Sequence, residues 1–361
     1  MREFDWLKEV AQLFDVRGDF IYGALYGDGL INRTYVIENK VGATIVRYII
    51  QRINDTVFSE IDGLINNIQN VCEFYAKRTN QSYLRSEQSN TIKNCRSLNL
   101  IKTKKGANYA FFDGGYYRVY DFIEGARTYS VAENDRQMFE SGRVCGQFHT
   151  IMKEFDASTL VETIKDFHNT PKRYENFKDA VKYDKLYRNK IAEAEIEDAF
   201  LLENKTSTII DGIKSKDLPL IVTHNDTKLN NVMIDENGIG VCLIDFDTIM
   251  SGSFLYDYGD AIRSGCNSAV ENERNIDKVE FRKDMYDAYY AGYLSEVKLN
   301  KTEKELLPFS AYLMTYECGI RFLTDFLQGD IYFKTTFDKE NLIRARNQLK
   351  LAHSIKELFK L

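Results

Sequence analysis

One polar run set into an otherwise apolar stretch constrains this chain more than any other feature: LPLIVTHNDTKLNNVMIDENGIGVCLIDF at residues 218–246. The apolar, β-branched residues before His224 read as a strand. Asn231 to Asp235 and Val241 to Ile244 read as two more, divided by the turn Glu236-Asn237-Gly238. Strand ends and loops are where a rigid scaffold converges polar groups, so Asp226, Lys228, Asn231 and Asp245 are expected to meet. Taken alone, HNDTKLNN is most simply a loop held by Asx turns. The composite spacing H-x-D-x-K-x-x-N, followed nineteen residues after Asp226 by I-D-F, outweighs that reading.

These residue types suit phosphoryl transfer. The reaction needs a hydroxyl oriented, its proton accepted and the charge on nucleotide phosphates neutralised, usually with magnesium. Asp226 is an acceptor for the proton and Lys228 a cation for the moving phosphoryl group. Asn231 and Asp245 supply the hard oxygens that hold Mg2+. His224 stands between an orienting role and a direct contact, and Asp260 is expected to brace the loop.

Around this core the chain changes character once. Arg33 to Glu38 and Ala43 to Ile50 read as a hairpin about Asn39-Lys40-Val41-Gly42. Asn108 to Phe112 and Tyr116 to Ile123 are further strands, and Ser59 to Lys77 carries the three- and four-residue apolar spacing of a helix. Beyond Glu124-Gly125 long helices dominate. Val144, Phe148, Ile151 and Phe155 share one face, and Thr302-Glu303-Lys304-Glu305 matches a capping box opening another helix through Leu327. Pro308 is expected to bend that helix.

With 361 residues and 44% apolar content the chain can bury a sizeable core and has length for two domains. A net charge of −6, with neither half strongly basic, gives no general electrostatic case for nucleic acid or an anionic membrane. The six cysteines are scattered, with no C-x-x-C pair, and read as reduced and mostly buried. No secretory leader or membrane span is visible, so a cytoplasmic protein is expected, with a monomer as the default.

Seven stretches together resemble the aminoglycoside phosphotransferase and choline kinase-like family. They are YGDGLINRTY (26–35), VFSEIDGLINNI (57–68), YYRVYDFIEG (116–125), FHNTPKRYENFKDA (167–180), VTHNDTKLNNVMID (222–235), IDFDTIMSGSFLYDYGDAIR (244–263) and ECGIRFLTDFLQGDIYF (317–333). TKLNN, DTIMSGS and the last stretch resemble its N-acetylhexosamine 1-kinase branch in particular. The resemblance implies an α+β, bilobal protein-kinase-like fold. A small β-rich nucleotide-binding lobe would span 1–124 and a larger, mainly helical catalytic and sugar-binding lobe 125–361. It makes Asp226 the catalytic aspartate, with Lys228 beside it, and Asn231 and Asp245 the metal ligands. Phe246-Asp247 stands where Phe-Gly is usual.

For ATP, the resemblance implies a phosphate-covering loop at Gly27, Gly29 and Asn32 and an adenine hinge at Phe122 and Ile123; a basic contact is expected from Arg47, or from Arg52, whichever the strand directs inward. The familiar phosphate-binding lysine position falls nearest Gln51, between Arg47 and Arg52. For the acceptor it implies His168, Arg263, Tyr316 and Arg321, with Asn169, Arg173 and Glu317 as further polar candidates. Arg321 is preferred because five fixed donors suit sugar oxygens. The activity implied is ATP- and Mg2+-dependent phosphorylation of the anomeric hydroxyl of N-acetylglucosamine or N-acetylgalactosamine. The alternatives are another small-molecule kinase of the family and a catalytically inactive nucleotide-binding scaffold.

Overall fold

The computed structural model describes residues 5–27, 31–85 (80–85 by backbone only), 96–203 and 205–361. The chain divides into two compact units, residues 1–126 with 160–164, and residues 127–159 with 165–361.

The first unit is a strand-rich α+β body. Its elements are α1 (Trp6–Gln12), β1 (Asp19–Leu25), β2 (Arg33–Val41), β3 (Thr44–Ile53), α2 (Ile61–Arg85), β4 (Leu100–Ile101), β5 (Ala110–Phe112) and β6 (Gly115–Asp121). The sheet runs β1-β2-β3-β6-β4, with β5 also paired to β6. Alternation explains the central hairpin. Tyr35 and Ile37 on β2, Tyr48 and Ile50 on β3, and Tyr117 and Val119 on β6 point to one face, where α1 closes the core with Leu7, Val10 and Ala11. The opposite face carries Thr34, Gln51 and Arg118 in register across three strands. Asn67 of α2 pins the 160–164 segment by donating to Val161 O (2.8 Å) and accepting from Val161 N (3.1 Å).

The second unit is mainly helical. After β7 (Ala126–Arg127) come α3 (Asp135–Met152), α4 (Thr170–Tyr183), α5 (Glu193–Leu202), α6 (Thr208–Ser215) and β8 (Ile221–Thr223). The hairpin β9 (Val232–Asp235) and β10 (Gly240–Leu243) follows, then β11 (Met250–Gly252), α7 (Phe254–Gly265), α8 (Lys283–Glu296), α9 (Lys301–Gln328) and α10 (Glu340–Phe359). α3 crosses α8 at glycines: a Cβ at Gly142 would fall on the Tyr289 carbonyl oxygen, and one at Gly292 on that of Phe139. α9 forms the spine of the core, buried from Leu307 to Leu327. Its capping box is Asn300 with Glu303, two residues earlier than the Thr302 reading, and the helix continues through Pro308. The five described cysteines are free, four of them buried. No helix among the described residues is long and apolar enough to cross a membrane.

Candidate active site

Antiparallel pairing of β8 with β11 sets Thr223 opposite Met250, which brings together the residues following His224 and those following Asp245. Ile244 N donates to Asn231 O (2.9 Å), tying the end of the β9–β10 hairpin to the loop that precedes it. Thr248 Oγ1 donates to His224 O (2.7 Å), and Asn225 Nδ2 donates to Thr248 O (2.8 Å). Asn225 and Asp245 both take left-handed backbone, φ 62° and 67°, a region that Asn and Asp tolerate better than most residues.

Asp226 lies at the centre of this knot. Lys228 Nζ donates to its Oδ2 at 2.7 Å, and the two side chains are 28% (Lys228) and 24% (Asp226) exposed. Burial pushes the Asp226 carboxyl up, but the Lys228 ammonium and its hydrogen bond outweigh it and hold the group below the ordinary carboxylate range. Lys228 is held charged in turn: burial disfavours its charge, while Asp226 and Asp245 raise its proton affinity. Asn231 Nδ2 donates to Asp226 O (2.8 Å) and Oδ2 (3.1 Å), so its amide oxygen is the atom those bonds do not use. No group of three or more His, Cys, Asp or Glu forms a metal cluster among the described residues. An amide oxygen and the Asp245 carboxylate are donors of the hard kind that suits Mg2+, an ion that takes few protein ligands.

The brace beneath the loop is Asp257, one turn before the Asp260 singled out in the sequence. It is wholly buried on α7. Its Oδ2 accepts from His224 N (2.8 Å) and His149 Nε2 (2.7 Å), and its Oδ1 accepts from Asn225 N (2.6 Å). Thr227 Oγ1 donates to the Asp257 carbonyl. Burial raises this carboxyl, and the bond and charge of His149 bring it below its ordinary value. Asp260 instead pairs with Arg263 at 2.8 Å. Sequence spacing carries no signal for Asp257, because its partners are backbone amides more than thirty positions earlier in the chain.

The acceptor-side residues divide into two groups. His168, Arg173, Glu317 and Arg321 gather around Phe167. His168 Nδ1 meets Glu317 Oε1 at 2.8 Å, Arg173 donates twice to Phe167 O (3.2 and 3.1 Å), and the Arg321 guanidinium lies 4.9 Å over the Phe167 ring. Arg263 and Tyr316 are spent within the fold, against the reading that placed them on the acceptor. Arg263 is ion-paired to Asp260 and Glu271, and Tyr316 is fully buried with its hydroxyl donated to Ala199 O (2.9 Å).

In the first unit, Arg47 makes a fork to both carboxylate oxygens of Glu124 and lies 4.0 Å over the Phe122 ring. Ile123 is half-buried beside it. Gln51 Oε1 accepts from Arg118 Nε (3.0 Å) and Nη2 (2.9 Å), while its Nε2 donates to Thr34 Oγ1 (3.1 Å). The buried cation near the lysine position is therefore Arg118 on the neighbouring strand, a residue the sequence reading passed over. Asn32 Oδ1 accepts from Asn54 N (2.9 Å), so this oxygen ties the end of β3 to the loop before β2. Gly27 has φ 73° with nothing among the described residues within 4 Å of where a Cβ would stand, and Gly29 lies outside the described residues.

Residues 92–293 match the model of the phosphotransferase enzyme family. Among solved structures the chain is similar to a microcompartment-associated aminopropanol kinase (14% identity, 98% of each chain covered, TM-score 0.59). It is also similar to an amicoumacin kinase in complex with AMP-PNP, Ca2+ and Ami (16% identity, 97% of this chain and 93% of that one, TM-score 0.57). An aminoglycoside phosphotransferase from Alicyclobacillus acidocaldarius gives 12% identity, 98% and 96% coverage and a TM-score of 0.58. At these identities the likeness is one of fold.

Proposed function

The chain belongs to the phosphotransferase enzyme family, and from that premise we propose that it transfers the γ-phosphoryl group of ATP to the anomeric hydroxyl of N-acetylglucosamine or N-acetylgalactosamine. The products are ADP and the α-1-phosphate. Asp226 accepts the hydrogen of the acceptor hydroxyl as its oxygen bonds to phosphorus and the bond to the ADP oxygen breaks. Lys228 keeps that carboxylate ionised. Asn231 and Asp245 would hold Mg2+, which would neutralise phosphate charge when bound. Arg47, Phe122 and Ile123 are assigned to the nucleotide in the first unit. We place the enzyme in the cytoplasm as a monomer acting on dissolved small molecules.

One observation carries the acceptor class. Arg173 is half-buried and donates twice to Phe167 O while Arg321 lies over the Phe167 ring, and burial, then the field of that second guanidinium, lower the proton affinity of Arg173. Glu317, the carboxylate beside them, is already committed to His168 and Thr170. Such a wall repels an ammonium-bearing acceptor and offers donors to hydroxyl and acetamido oxygens. A choline or amino-alcohol pocket needs the opposite, carboxylates or an aromatic cage.

The test measures ADP formation with ATP and Mg2+ against a panel of the two N-acetylhexosamines, choline, an amino-alcohol and an aminoglycoside, with the phosphate position of the product read by NMR. The sugars should be preferred and phosphorylated at position 1. Preference for a cationic acceptor overturns the acceptor class, and exclusive 6-phosphate overturns the regiochemistry. Asp226→Asn should lose on the order of 10²–10⁴-fold in rate while staying folded. Asp245→Asn should raise the magnesium needed for half-maximal rate.

A further inference from the structure

The peptide unit between Asn225 and Asp226 is held at both ends by imidazoles. On one side Asp226 N donates to His224 Nδ1 at 3.3 Å, and His224 Nε2 faces Ile244 O at 2.9 Å. That pair of partners assigns the ring hydrogen of His224 to Nε2. On the other side Asn225 O faces His168 Nε2 at 3.2 Å. The orientation of this peptide plane is set by ψ of Asn225 and φ of Asp226, and φ of Asp226 governs how its Cα–Cβ bond stands to the loop, so whatever fixes the plane also aims the base.

His168 is built into its place. Its side chain is 6% exposed, its ring lies between Phe167 (centroids 4.5 Å apart) and Tyr256 (5.1 Å), and its Nδ1 meets Glu317 Oε1 at 2.8 Å. Glu317, on α9, is fixed through its other oxygen by Thr170 Oγ1 at 2.6 Å. Arg321, four residues further along α9, is the preferred acceptor contact, and its charge acts on the same carboxylate. We propose that His168 is a positioning residue rather than an acceptor contact: its two ring nitrogens both face acceptor oxygens and so both carry hydrogen, one donating to Glu317 and the other to the Asn225 carbonyl, which thereby aims Asp226 and links the acceptor-side helix to the catalytic loop. This rests on the reading of Asp226 as the base. The role is mechanical, with no bond made or broken at His168.

The experiment uses the full-length enzyme with His168→Gln, which keeps a donor but not the imidazole shape, and His168→Gly with and without added imidazole. Kinetics are taken with whichever acceptor the wild-type enzyme turns over best. A misaimed base predicts a kcat lowered on the order of tenfold to a hundredfold, with KM for acceptor and for ATP within about twofold of wild type, and partial recovery of kcat by imidazole in the glycine variant. A raised acceptor KM at unchanged kcat makes His168 a sugar contact and overturns the proposal. Unchanged kinetics with only a lower melting temperature reduces it to a packing residue. Hydrogen exchange of residues 223–227 gives a readout independent of turnover: protection should fall in His168→Gln, and unaltered protection overturns the clamp even in a protein with no kinase activity. Loss of protection in His168→Gln, where the wild-type protein phosphorylates nothing, leaves the clamp standing and refutes the function instead.

Discussion

The two carboxylate oxygens of Asp257 divide between consecutive backbone amides, Oδ2 accepting from His224 and Oδ1 from Asn225. An entirely buried charge is thus spent on holding a loop one residue away from the proposed base. Asp257→Asn replaces one acceptor by an NH2 that faces N–H donors, and should cost about 2–4 kcal/mol in stability by urea titration. It should also lower kcat with little change in either KM. The pH dependence follows from the depressed folded value. Asp257 stabilises above its unfolded value and loses that contribution as pH falls through the folded one. The variant should therefore show a shallower acid limb of stability than the wild type.

Under the proposed function, Lys228 is expected to set the acid limb of activity. It holds the Asp226 carboxyl below its ordinary range, so the wild-type base stays ionised well into acid. Lys228→Met removes the cation, leaving burial to push Asp226 upward, and the acid limb of kcat/KM should move to higher pH. A limb that stays in place, measured from about pH 4.5 to 9, would show that another group sets it.

Gln51 serves as a neutral cradle for a buried arginine. Gln51→Leu leaves Arg118 without the oxygen that accepts two of its N–H groups, and should destabilise by about 1.5–3 kcal/mol. Gln51→Lys sets a second cation against the first and should be worse than leucine. Thermal and urea unfolding of both variants decides the order.

Arg321→Lys keeps a positive charge but loses the planar fork above Phe167. Acceptor KM should rise more than ATP KM, and saturating sugar should recover more of the rate than it does in Asp226→Asn. Unchanged acceptor kinetics in a folded variant would remove Arg321 from the acceptor side.

Local patterns carried much of this in the sequence. The alternation of β2 and β3 and the H-x-D-x-K-x-x-N spacing are short-range signals, and they locate the hairpin and place Asp226, Lys228 and Asn231 within six residues. Edge strand β1 gives no such alternation, since its exposure pattern never settles on one buried face. Asn300 and Thr302 each stand three residues before a glutamate, and the sequence does not say which one begins the helix. Asp257, Arg118 and the His168 bond to Asn225 join residues 32, 67 and 57 positions apart. Only the folded backbone brings such pairs together. Tyr316 is a polar side chain whose partner, the Ala199 carbonyl, lies inside the core, and Arg263 is taken up by Asp260 one turn earlier on its own helix and by Glu271.

The α3–α8 crossing reaches the chemistry from a distance. His149 sits two turns beyond Gly142 on α3, and its ring is the Asp257 ligand that also meets Tyr293 of α8 (2.8 Å). The spacing between those two axes is therefore the ruler by which the catalytic loop is levelled, and one methyl group at Gly142 or Gly292 lengthens it. Under the proposed function, variants chosen to widen the range of acceptors would be drawn from around Arg321, whereas the two glycines should behave as a fixed datum whose disturbance appears as lost turnover with no change in what the enzyme binds.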